Sequence, residues 1–179
     1  KILQIINENP KKLFYIGPFL EMRSEETTDL NVQDVPHAFF HGTIFNKKFF
    51  NKYNIHIPTA SYYQEDTAFI NTCLMLGTKD QEFFSYSEPL VVKVFDPNSL
   101  SRKPSPFLAE NLCNGLILNA EDMIKQLKKN NLDYTDLLNE VLILTFFDLL
   151  NLESFDENIY KKILHCYKIF FKKYPISLE

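Results

Sequence analysis

Residues 41–71, HGTIFNKKFFNKYNIHIPTASYYQEDTAFIN, carry the pattern on which the reading of the fold turns. Phe45, Phe49 and Tyr53 recur every fourth residue while Lys47, Lys48 and Lys52 fall outside that stripe, so the spacing predicts an amphipathic helix over 44–54. A short extended stretch, Ile55 to Pro58, follows. The helical pattern then returns over 65–76 through Phe69, Ile70, Cys73 and Leu74. Glu65 and Asp66 stand in its first turn, where the helix dipole favours acids, and Gly77 supplies a stop.

On the N-terminal side, Ile2, Leu3, Ile5 and Ile6 precede a polar turn ending at Pro10, the pattern of a closing helix. Leu13 to Met22 reads as a strand interrupted at Gly17 and Pro18, and 23–36 reads as an exposed acidic loop. On the C-terminal side, 82–95 holds two β-type runs. The second, Leu90 to Phe95, is nearly continuous and valine-rich, as expected of a buried strand. Asp96 to Pro106 is rich in proline and serine and marks a boundary, after which helices are expected at about 106–118, 120–130, 134–150 and 156–173. In the last of these, Ile159, Tyr160, Ile163, Leu164, Tyr167, Phe170, Phe171 and Tyr174 fill one face, and Pro175 ends it.

With 179 residues, 45% of them hydrophobic and 23% charged, the chain has the balance of a folded globular protein. A net charge of −4 argues against nucleic acid as a partner. Cys73, Cys113 and Cys166 are odd in number and lack metal-ligand spacing, which points to buried reduced thiols. No apolar run reaches the roughly 20 residues a membrane helix needs, and no signal peptide is legible, so a cytoplasmic location is expected. Because Lys1 opens within a helical pattern, a piece of a longer polypeptide is expected.

The order of elements is itself informative: a His-Gly turn at His41–Gly42, a basic aromatic helix, an extended Asn54-Ile55 stretch reaching Pro58, QEDTAF at 64–69, a paired strand region, then SLSRK at 99–103. This succession resembles the second half of family 2 glycosyltransferases, through Gly42, Phe45, Lys47, Phe49, Phe50, Tyr53, Asn54, Ile55, Pro58, Glu65, Asp66, Thr67 and Phe69. The resemblance covers about 1–103 and implies the acceptor-side part of an α/β sandwich of the glycosyltransferase A type with a mixed sheet. An all-helical extension over 104–179 follows it.

The activity so implied is inverting transfer of a sugar from a nucleotide-sugar to a hydroxyl of a glycan, lipid or protein acceptor. In that family the upstream half binds the donor and carries an Asp-x-Asp motif for a divalent metal, manganese or magnesium. This chain has no Asp-x-Asp, so the metal is expected in the intact enzyme through the upstream half. None is expected to bind this chain alone, which should then be inactive. The alternative is a non-catalytic scaffold built on a degenerate transferase fold.

The resemblance assigns Asp66 as general base, with Glu65 positioning it. A carboxylate at that point meets the need of a hydroxyl that must lose a proton as it attacks. The plainer reading of both acids is a first-turn pair that complements the helix dipole. His41, Gly42, Tyr62 and Tyr63 are candidates for contacting sugar, and Ser101 and Arg102 for closing a loop over the leaving phosphates. The aromatics from Phe39 to Phe50 have core packing as their default. The lysines of the last helix suit either a solvated face or, given a lipid-linked acceptor, peripheral contact with an anionic inner membrane surface. Oligomeric state is not legible.

Overall fold

The computed structural model describes residues 1–22, 30–33, 40–61, 63–94, 108–150 and 157–175. They form two compact units, one comprising 1–56 and 70–99, the other 57–69 and 100–179. Residues 57–69, inside the stretch read as α/β, fall in the second unit.

The first unit opens with α1 (Ile2–Glu8), which closes before Pro10. The chain then runs through β1 (Phe14–Ile16) and β2 (Phe19–Met22), split at Gly17 and Pro18 as their backbone chemistry predicts. Each half is the middle strand of its own three-stranded mixed sheet. β1 pairs antiparallel with β4 (Thr43–Phe45) and parallel with β5 (Phe83–Ser85). β2 pairs antiparallel with β3 (Leu30–Gln33) and parallel with β6 (Val92–Val94). The registers Tyr15 opposite Ile44 and Phe84, and Leu20 opposite Val32 and Val92, carry one three-strand scheme across the break.

The core of this unit is aromatic. Phe14 is fully buried, stacks on Phe45 with centroids 4.7 Å apart, and meets Phe49 and Phe83 at 5.7 Å each. Phe49 and Tyr53 come from α2 (Lys47–Tyr53), which starts where the Asn46 side chain accepts a hydrogen bond from Lys48 N at 3.0 Å. It stops at Asn54, in the left-handed region. The expected helix over 44–54 is thus shorter, because Thr43–Phe45 is claimed by the ladder to β1.

α3 (Glu65–Lys79) passes through Gly77, where a stop was expected. A Cβ at Gly77 would lie 3.2 Å from Phe83 Cβ and 3.5 Å from Phe14 Cδ1, so this glycine lets the helix approach the sheet. The helix ends instead at Lys79, and the chain leaves it through Gln81, with φ of 55°. There Gln81 N donates to Thr78 O and Glu82 N to Gly77 O, the paired bonds of a Schellman motif.

Two further expectations are corrected. Part of the 23–36 loop is strand β3, paired with β2. Within the valine-rich run expected to be buried, Val91 is 37% and Val92 50% exposed, and among the described residues β6 stands at the edge of its sheet, paired with β2.

The second unit is built on α4 (Leu108–Lys129), against which α5 (Thr135–Leu150) and α6 (Glu157–Lys173) pack. Two expected helices, 106–118 and 120–130, are one continuous helix here. Asn119, which falls between the two expected ranges, is wholly buried within it, as is Ala120. α4 closes with its own Schellman pair around Asn131, and Asp133 accepts from the Tyr134 and Thr135 amides to start α5. α6 buries Ile159, Ile163 and Phe170, as its periodicity predicts, with Tyr174 buried just beyond its end, and Ile159 and Ile163 cluster with Cys113 of α4. Among the described residues beyond 107 there is no strand.

Candidate functional site

The acid pair stands where the chain turns into α3. Ser61 Oγ accepts from Tyr63 N at 3.1 Å, and Gln64 takes a φ of 59°, a left-handed conformation that turns the chain sharply. α3 then begins at Glu65. Its first turn is tied to the turning residue: Thr67 Oγ1 donates to Gln64 Oε1 at 2.8 Å and Ala68 N to Gln64 O at 3.3 Å. Asp66 is half-buried and its Oδ1 accepts from Thr67 N at 2.9 Å. Glu65 is half-buried as well, whereas Thr67, Ala68, Phe69 and Ile70 are buried. Burial thus sets in directly after the two acids, which both stay partly exposed.

This turn is held from α4. Asn119 Oδ1 accepts from Ser61 N at 3.2 Å, and its Nδ2 donates to Ser61 O at 3.2 Å and to Tyr63 O at 2.8 Å. One turn earlier, Gly115 leaves room for that backbone: a Cβ there would come within 2.5 Å of Tyr63 O and 2.6 Å of Tyr63 Cβ. Reading the sequence did not single out either residue. The available signal was their spacing of four, which places a glycine and a buried amide on one helix face.

His41 and Gly42 belong to the first unit, whereas Tyr63, Glu65 and Asp66 belong to the second. Gly42 has φ of 75°, and its carbonyl accepts from Gly17 N at 3.1 Å and from the buried Tyr86 hydroxyl. Burial pushes the Tyr86 phenol above its ordinary value, keeping it a donor. The His41 ring lies 5.2 Å from that of Phe19. Gly42 thus locks the break between β1 and β2. Tyr62, Ser101 and Arg102 lie outside the described residues.

Of the aromatics, Phe45 and Phe49 pack in the first unit's core, while Tyr63 is half-buried beside α4. Among the described residues there is no group of three or more His, Cys, Asp or Glu side chains that could hold a metal ion. No helix among them is long and apolar enough to cross a membrane. Three lysines of α6 are paired with acids: Lys161 with Glu157 at 2.5 Å, Lys162 with Glu110 at 3.4 Å and Lys173 with Glu121 at 3.0 Å. Such pairing reduces the net positive field that this face presents.

No protein-family model, no curated protein and no solved structure matches this chain.

Proposed function

We propose that this chain is the acceptor-side part of an inverting glycosyltransferase, with Asp66 as general base. In such a transfer the acceptor oxygen bonds to the anomeric carbon as the bond to the diphosphate breaks, and the hydroxyl proton passes to a carboxylate. Glu65 is its neighbour in the same turn and serves to orient it. The donor is a nucleotide-sugar, and the acceptor is a hydroxyl of a glycan, a lipid-linked sugar or a protein. A cytoplasmic site of action, at the inner membrane face if the acceptor is lipid-linked, accords with this chemistry.

The observation that supports this reading is the acid at the start of α3: a half-buried carboxylate, in the QEDTAF setting, on a turn whose backbone is fixed by three side-chain hydrogen bonds from Asn119. Fixing a general base in this way spares the reorganisation that a loop carboxylate would need. The proton transfer itself requires only the carboxylate.

The test is a transfer assay on the polypeptide that carries this chain. UDP-glucose, UDP-galactose, UDP-N-acetylglucosamine and GDP-mannose are each offered with manganese and a panel of oligosaccharide and lipid-linked acceptors. Nucleotide release and product mass are read. Acceptor-dependent release with an inverted linkage is the expected result; none with any donor favours the scaffold reading.

A further inference from the structure

We infer that Asn119 and Gly115, on α4, are positioning residues for the acid pair of α3, which makes the helical segment a working part of the site. The inference rests on the proposed role of Asp66. Its physical basis is independent of that role. A side-chain amide buried in a helix is costly unless every polar atom is satisfied, and Asn lowers helix propensity where it stands. Asn119 is wholly buried in the middle of a 22-residue helix, yet both of its polar groups go to main-chain atoms of Ser61 and Tyr63. A leucine or methionine would pack there with no such demand, so the amide is best explained by the segment it grips.

That segment leads straight into the catalytic turn. Ser61 is held at both its N–H and its C=O, and Tyr63 at its C=O, one residue before the left-handed Gln64. With both ends of the turn tied, at Asn119 before it and at Thr67 after it, the direction in which α3 leaves is set. Gly115 contributes by absence: any side chain would strike Tyr63 O and Ser61 Oγ, the latter at 2.8 Å. Displacing this backbone by about 1 Å would move Asp66 out of reach of a proton, a misplacement that costs about 100-fold in a well-oriented reaction.

Amide hydrogen exchange on the unaltered protein tests the grip without any variant. The Ser61 amide is expected to exchange at least 100-fold more slowly than an unstructured peptide amide, and exchange at the unprotected rate would overturn the inference. In Asn119→Ala and, separately, Gly115→Ala, protection at Ser61 and Thr67 should fall at least tenfold more than in α6. A uniform fall across the unit would show ordinary packing and overturn it too. In the transfer assay the same variants should lower kcat tenfold or more with donor KM within twofold, and an unchanged kcat per folded molecule rejects positioning. If the unaltered polypeptide transfers no sugar, the base assignment and the catalytic part of this inference fall together, while the exchange result still decides the grip.

Discussion

The Tyr53 hydroxyl lies 2.7 Å from Asp80 Oδ2 and 2.8 Å from Glu82 Oε2, so one phenolic proton is shared between two carboxylates. Lys52 Nζ reaches the same two acids at 2.6 and 2.9 Å. The cluster ties the end of α2 to the turn between α3 and β5.

Its pH dependence follows from the direction of each shift. Burial, then hydrogen bonds to Asp80 and Glu82, raise Tyr53 above 10.0, and the hydrogen bond to Asp80, then that to Glu82, raises Lys52 above 10.5. A raised folded value means stability that is full below the unfolded value and lost as pH climbs towards the folded one. Asp80 is lowered, chiefly by Lys52 and then Tyr53, so its contribution is present above 3.8 and lost as pH falls through its lower folded value. Tyr53→Phe should destabilise the first unit by about 1 kcal/mol at neutral pH. It should also reduce the alkaline loss of stability above about pH 10, measured by urea unfolding at several pH values. An alkaline limb as steep as in the parent contradicts this.

Gly77 tests how closely α3 packs on the sheet. Alanine should gain about 1 kcal/mol in helix propensity and lose a comparable amount where its Cβ presses on Phe83, leaving thermal stability nearly unchanged. Gly77→Leu has no such offset and should cost about 1–3 kcal/mol or more by overpacking. A leucine variant as stable as the parent would show that the helix stands further from the sheet.

Gly42 is fixed by sterics on two counts, its φ of 75° and the Gly17 carbonyl that a Cβ would strike. Gly42→Ala should therefore lose about 2 kcal/mol or more in chemical unfolding. Loss of sugar transfer in that variant without loss of stability would give this turn a direct part in binding.

The three thiols differ in accessibility. Cys73 and Cys113 are buried, with Cys73 pushed well above its ordinary value by desolvation, and Cys166 is half-buried. Ellman's reagent should titrate Cys166 in the native protein and the other two only after denaturation. Rapid native reaction at Cys73 would contradict the packing of α3.

What the sequence disclosed, and what it concealed, divides along physical lines. Helical periodicity reports burial directly, so the apolar face of α6 and the run of α3 were legible from residues alone, as was the break at Gly17 and Pro18. Tertiary substitutions for local rules were not. Gly77 reads as a stop because glycine usually frees a helix end, and only the position of Phe83 shows that it serves close packing. The valines of β6 read as buried because valine suits a covered strand, whereas the edge position is a property of the sheet. In the candidate site, Glu65 and Asp66 were legible from a local motif. Asn119 was not, since its partners lie 56 and 58 residues away and its own neighbours suggest only a poor helix former.

The central claim is that Asp66 takes the acceptor proton. Asparagine in its place keeps the size and the acceptor for Thr67 N but removes the basic site. The decisive measurement is the transfer rate of the Asp66→Asn polypeptide beside its donor affinity and its unfolding midpoint. Turnover is expected to fall by roughly 100-fold or more, with donor binding and stability kept close to those of the parent. Turnover within twofold of the parent would contradict that role and leave Asp66 an ordinary first-turn acid.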